Sequence, residues 1–265
     1  MIKSIWHNRG LALRLAKNDI KNKFAGSYLG IIWAFIQPIV TVFVYWMIFE
    51  VGFKSGDNSS YPFVLYLICG IVPWFYFAEA LAGGTNCLVE YSYLVKKVVF
   101  NIDILPLVKV ISALFTHVFF LCLTIIILVC YGYIPGICIV QLPYYMICNI
   151  VLLLGLIHFT STITVFFKDI YQFVNIFVIQ LGVWVTPIMW DAAARLADNR
   201  VLMVIFKLNP VYFMLDGFSD SLLYQKWIWE GKGLWTLYFW VITLIILFRG
   251  MRFFSKTKPH FADVL

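Results

Sequence analysis

From Val110 to Phe167 the chain runs for 58 residues without an Asp, Glu, Lys or Arg. One bilayer crossing takes ~20 residues for ~30 Å of hydrocarbon, so this stretch has to cross twice. The turn belongs at Tyr131-Gly-Tyr-Ile-Pro-Gly136, where glycine and proline interrupt a helix, and Pro143 follows close behind. Composition fits the same reading: 63% of the 265 residues are hydrophobic and 12% charged, against ~45–50% and ~25% in soluble domains. That much apolar surface excludes disorder, collagen, coiled coil and small disulfide scaffolds. The fold class is an all-α membrane protein.

Further charge-free stretches at Phe24–Phe49, Tyr61–Ala78, Ile170–Trp190 and Gly233–Phe248 complete the set. Six transmembrane helices are predicted, at roughly 31–53, 61–82, 109–133, 141–167, 172–190 and 234–254. Charge gives their direction. With both termini in the cytoplasm, the inner segments hold 14 of the 20 basic residues. The outer ones hold Lys54 and five more in 191–233, matched there by five acids. Positive-inside therefore predicts N-in and C-in, and the net charge of +7 reports topology rather than nucleic acid. Some thirty mixed polar residues precede the first apolar run, which does not read as a cleavable signal. The six cysteines form no CxxC pair and read as small helix-packing residues.

Residues 1–265 read as one transmembrane domain with four informative segments outside the spans, the last of them the short basic tail Lys256–Leu265. Residues 1–24 form an amphipathic interface helix, with Ile5, Trp6, Ala12, Leu13, Ala16, Ile20 and Phe24 on its apolar face. Residues 83–108 form a cytoplasmic segment that begins at the flexible Gly83-Gly84 and is too apolar for a solvated loop. A short helix there carries Leu94, Val95 and Val98, free to touch a partner. Residues 191–233 are extracellular, with Asp191 a candidate N-cap. Two apolar half-helices, around 201–208 and 211–223, are broken at Asn209-Pro210. Each is too short to span, so they re-enter the membrane or lie on it, which points to a gate.

The chain lacks GxxxxGK[ST], HExxH, GxSxG and GxGxxG, and its four histidines form no ligand cluster. Neither an ATP site nor a metal site is predicted within it. Among intramembrane polar groups, Glu50 and Glu79 read as helix-end residues reaching headgroups or water. His117 and His158 read as neutral, hydrogen-bonded packing residues and not as a proton relay. Fifty aromatic residues supply the contrast. Most belong to interfacial belts and lipid-facing packing, but Trp46, Trp74 and Tyr76 fall away from the membrane edges. Aromatic faces suit a sliding glycan, because they give apolar contact without fixed hydrogen bonds.

These features resemble the membrane subunit of ABC-2-type polysaccharide exporters, the family handling teichoic acid, O-antigen and capsule polymers. Tyr28-Leu-Gly-Ile-Ile-Trp33, Tyr45-Trp46 and Gly70-Ile-Val-Pro-Trp-Phe75 carry the resemblance first. It continues through Leu94-Val-Lys-Lys-Val98, Ile104-Leu-Pro106, Thr186-Pro-Ile-Met-Trp-Asp191, Leu208-Asn-Pro-Val-Tyr212 and Phe261-Ala-Asp-Val-Leu265. The wording is most similar to the teichoic acid branch, with Asn101 standing where relatives commonly have Pro. The resemblance implies a homodimer in a bacterial plasma membrane, partnered by two copies of a separate ATP-binding subunit that holds ATP and magnesium. It implies export of a polymer attached to a lipid pyrophosphate carrier, and no cofactor or catalytic residue in this chain. It also implies ATPase coupling through residues 88–100, with Tyr91, Leu94, Val95, Lys96, Lys97 and Val98 as candidates. An outer gate would involve Asn209, Pro210, Tyr212 and Phe213. Pathway rings would be Trp33, Tyr45, Trp46, Trp184 and Trp190. Tyr45 and Trp46 lie ~100° apart on a helix, so at least one of them packs elsewhere.

Two rival functions stay open at this point. An ABC-2 exporter of a small lipid or drug shares the fold but needs fewer pathway aromatics. A secondary transporter calls for internal repeats or midplane carboxylates, and neither is seen.

Overall fold

The computed structural model describes residues 8–23, 26–52, 61–97, 100–189 and 199–265. Every regular element among them is helical. In chain order these are α1 (Arg9–Lys23), α2 (Gly30–Gly52), α3 (Phe63–Glu90) and the short α4 (Ser92–Val95). There follow α5 (Ile102–Cys130), α6 (Ile137–Phe166), α7 (Asp169–Val185) and α8 (Arg200–Lys207). Last come α9 (Pro210–Tyr224), α10 (Gly233–Thr257) and α11 (Phe261–Val264). Five of these segments, α2, α3, α5, α6 and α10, are long and apolar enough to cross a membrane. The fifth predicted span corresponds to α7, which at 17 residues is shorter than the others.

Two expectations about the segment 83–108 are corrected. Helix α3 runs on to Glu90 and α5 begins at Ile102, so the connection shrinks to residues 91–101. Gly83 and Gly84 lie inside α3, where they serve packing instead of a turn. A Cβ at Gly84 would fall 2.5 Å from the Ile157 side chain of α6, and one at Gly83 would touch the Lys109 stem of α5. Asn101 opens the next element: its side chain accepts from Asp103 N at 3.3 Å and caps the turn Ile102–Ile104.

Helix α3 is the axis of the bundle, buried over most of its length between α5, α6 and α9. Helices α6 and α10 pack through glycine. A Cβ on Gly155 would stand 2.8 Å from the Leu247 backbone, and one on Gly250 would strike the Gly155 carbonyl. Small residues let membrane helices approach closely enough for dispersion to hold them where no hydrophobic effect operates. Helix α2, by contrast, buries no residue against the rest of the chain.

The break at Asn209-Pro210 is realised as expected. Helices α8 and α9 meet at 91°, because Pro210 has no N–H to continue the preceding ladder. Asn209 caps α9 by accepting from Val211 N at 3.0 Å. Asn199 caps α8 in the same way through Leu202 N, at 3.2 Å. Helix α9 dives into the core on Met214, Leu215 and Phe218, while Val201, Val204 and Ile205 of α8 stay exposed. The Asp191 cap lies outside the described residues.

Helices α1, α4 and α11 gather at one end of the bundle, which also carries Lys96, Lys97, Arg249 and Arg252. Ala12 and Ala16 of α1 pack on Ile104 and Val108 of α5. Phe261 of α11 is buried with Cys87, Leu88 and Tyr91. Lys258 Nζ donates to Asp103 Oδ1 at 2.7 Å. The buried stripe of α1 is Ala12, Ala16 and Asp19; Leu13, assigned to the apolar face, is half exposed.

Candidate transport pathway

A cavity of about 390 Å³ opens between α2, α3 and α7. Its wall includes Gln37 and Tyr45 of α2, Trp74 and Glu79 of α3, and Asn175 of α7. At its basic-end mouth Lys23, the last residue of α1, bonds Glu79 Oε1 at 2.5 Å. Glu79 is thus a mid-helix carboxylate paired across the cavity, not the helix-end group that was expected. The pairing spans 56 positions in sequence, and no local pattern announces it. Residues Val174–Gln180 of α7 form a π turn beside the cavity. Such turns insert a residue into the helical register and re-aim the side chains that follow.

The structure divides the five candidate rings. Tyr45 lines the cavity and meets Trp184 edge to face, with centroids 6.1 Å apart. Trp46 points away and packs on Phe43 at 5.8 Å, as the 100° offset between neighbours requires. Trp33 is exposed at the start of α2 and is not in the cavity wall. Trp190 lies outside the described residues. Trp74 takes a central place: its ring rests on Gly182 of α7, where a Cβ would come within 2.8 Å. The glycine and the tryptophan together decide how closely α3 and α7 approach.

Three other polar residues in the bundle are structural. Glu50 accepts from Val64 N at 3.2 Å and so caps the start of α3. His117 stacks on Tyr76 at 4.8 Å and meets Phe218 edge-on. His158 Nδ1 lies 2.6 Å from the Leu154 carbonyl. Both histidines are packed among rings as expected. Among the described residues, the hydrogen bond expected of each is present at His158 but not at His117.

At the far end, Asn209 Nδ2 donates to Thr186 Oγ1 at 3.3 Å, tying the α8–α9 break to the chain leaving α7. Tyr212 lines a smaller cavity of about 140 Å³ with Tyr66, Asp216 and Asp220. Phe213 does not face it. That ring is buried, stacked on Phe239 of α10 at 4.7 Å and close to Tyr145 of α6, so in this structure it packs in the core and not toward the cavity. Lys232, just ahead of α10, bridges the two carboxylates, at 2.5 Å from Asp216 Oδ2 and closer still to Asp220. Burial alone pulls the Lys232 ammonium down, but the two carboxylates outweigh it and raise its pKa above the usual lysine value.

At the basic end, the coupling candidates also separate. Tyr91 and Val95 are buried in the chain's own cluster with Phe254 and Phe261, which leaves little of either for a partner. Leu94 is half buried at the edge of that cluster. Lys96 and Lys97 are exposed, and Val98 lies outside the described residues. Tyr93, which the sequence reading did not single out, is 59% exposed. Beneath it Lys109 Nζ donates to Asp19 Oδ1 at 2.6 Å and to both Glu90 oxygens at 2.8 Å, and Tyr91 OH donates to the same Asp19 oxygen at 2.6 Å. Burial pushes the Asp19 carboxyl up, yet Lys109 and the two hydroxyls of Tyr91 and Ser112 outweigh it and hold it below the usual range.

The family model described as ABC-2 type transporter matches residues 11–223. The chain belongs to the ABC-2 transporter family. It is a multi-pass bacterial membrane protein, the membrane-spanning component of a transporter. Over 263 residues it is 23% identical to the O-antigen export system permease protein RfbA of Myxococcus xanthus, covering 99% of this chain and 98% of that one. Two proteins of the same name from Klebsiella pneumoniae are 26% and 25% identical over 259 residues, each covering 96% of this chain and 95% of the relative. The alignments extend through the α8–α9 segment and the basic-end connection alike.

Proposed function

We propose that this ABC-2 chain is the membrane subunit of an ATP-driven exporter of a lipid-linked cell-surface polysaccharide. It works as a homodimer with two copies of a separate subunit that binds ATP and magnesium, and its basic end faces the cytoplasm. One observation carries this reading: similarity over nearly full length to three permeases named for O-antigen export. Those names favour an O-antigen type of polymer over the teichoic acid branch suggested by the motif wording. The cavity beside α2 and α7 fits the task, since Tyr45 and Trp74 offer ring faces and Gln37 and Asn175 offer hydrogen bonds. Tyr93, Leu94, Lys96 and Lys97 form the surface offered to the ATP-binding subunit. The outer gate comprises the Asn209-Pro210 break and Tyr212.

Deleting the gene in its own host tests this. Surface polysaccharide should disappear while polymer still bearing its lipid accumulates on the cytoplasmic side. Undiminished surface polymer would overturn the reading. Sugar analysis of the accumulated material separates an O-antigen type from a teichoic acid.

A further inference from the structure

Asp19 and Lys23 stand one turn apart on α1 and hold two different parts of the molecule. Asp19 is buried and receives Lys109 of α5 and Tyr91 at the end of α3. Those two residues flank the basic-end connection, Tyr91 immediately before α4 and Lys109 beyond its far end. Lys109 also grips Glu90, so both arms of the connection are cross-linked to each other and to α1. Lys23 reaches in the other direction, to Glu79 at the mouth of the cavity.

Apart from these attachments α1 lies along α5, with Ala12 and Ala16 against Ile104 and Val108. Ala12 and Ala16 are its only buried apolar residues, and small side chains let a helix shift without unlocking large ones. A buried ion pair resists separation because either partner alone would be an uncompensated charge. The joint at Asp19 is therefore stiff, while the one at Lys23, half exposed, is soft.

We infer that α1 is the mechanical link of the transporter, with Asp19 the positioning residue that fastens it to the coupling connection and Lys23 the tip that it moves at the cavity mouth. Displacement of α4 by the ATP-binding subunit moves Glu90, Tyr91 and Lys109 as one body. Asp19 follows them, and Lys23, four residues on, is carried relative to Glu79. The cavity mouth thus registers the nucleotide state without touching nucleotide. This rests on the proposed pairing with an ATP-binding subunit.

The test uses the reconstituted complex with spin labels at Lys17 on α1 and Lys256 on α10, both exposed, after replacement of the six native cysteines. Trapping the partner subunit with ADP and vanadate should change the label distance in the parental complex. The change should fall to less than half in Asp19→Asn, and also in Tyr91→Phe, which deletes one oxygen and leaves the packing intact. Trapped nucleotide should be equal in all three. An undiminished change in both variants, or no change in the parental complex, would overturn the inference while leaving the exporter reading standing. A chain that purifies with no ATP-binding subunit would overturn both.

Discussion

Gly250 of α10 lies directly on the carbonyl of Gly155 of α6, so the two backbones meet with no side chain between them. Nothing flexible is available there to make room. Gly250→Val should therefore force α6 and α10 apart, costing about 1–3 kcal/mol by overpacking. A thermal melt of the detergent-solubilised protein checks it, and Gly10→Ala is the control. A Cβ at Gly10 meets nothing within 4 Å, so that variant should melt at or above the parental temperature, as helix propensity favours alanine.

The outer triad gives a second expectation. Lys232→Met leaves Asp216 and the buried Asp220 facing each other unpaired, a loss of about 3–5 kcal/mol. Adding Asp216→Asn and Asp220→Asn should restore most of the melting temperature. Lys232 has its pKa raised by folding, so its contribution is complete below the ordinary lysine value of ~10.4. It is lost only as pH rises through the higher folded value. The melting gap between parent and Lys232→Met should stay flat from pH 6 to 10. A gap that closes in that window would contradict the triad.

Acid should act on the other network. Asp19 is held below the usual carboxylate range, so its stabilisation is present above the unfolded value of ~3.9 and fades as pH falls through the folded one. The melting difference between parent and Asp19→Asn should be constant from pH 8 to 5 and shrink below about pH 4. Shrinkage already between pH 7 and 6 would mean that the carboxylate is not held in this way.

Along the pathway, the rings are expected to differ by face. Tyr45→Ala and Trp74→Ala should lower polymer export severalfold in cells, with normal amounts of protein in the membrane. Trp33→Ala and Trp46→Ala should export at close to the parental rate. Equal export by all four would remove the cavity from the route.

Tyr93 and Val95 sit two residues apart and should fail in different ways. Tyr93→Ala should weaken capture of the ATP-binding subunit about tenfold, the usual cost of losing an aromatic anchor. The chain itself should melt normally. Val95→Asp buries a charge among Phe254 and Phe261 and should lower the melt of the isolated chain. A Tyr93 variant with parental affinity would take that ring out of the docking surface.

Much of this architecture is legible in the sequence, and the reasons are physical. Charge-free length locates the spans because charge is costly in hydrocarbon, and Asn209-Pro210 locates the sharp break because proline lacks a donor. Gly83-Gly84 misleads, since glycine serves a turn and a close helix contact equally well and only the opposing Ile157 distinguishes them. Leu13 misleads because the helix buries Asp19 in place of a larger apolar residue. The cavity is the least legible part. Composition counts aromatic rings, but the face on which each one points depends on partners such as Gly182 beneath Trp74, more than a hundred positions away.

The shortness of α7 bears on the lipid as well as on the protein. Seventeen residues would rise about 25 Å as a regular α-helix. The wider π turn at Val174–Gln180 shortens that further, leaving it about 5 Å or more below the ~30 Å of hydrocarbon. Acyl chains alongside must tilt or shorten to match, a deformation costing fractions of a kcal/mol for each ångström. The helix also forms one wall of the cavity. A bilayer matched to that length is expected to be thinner at this flank of the cavity, which would bring headgroups nearer to a polar cargo entering there.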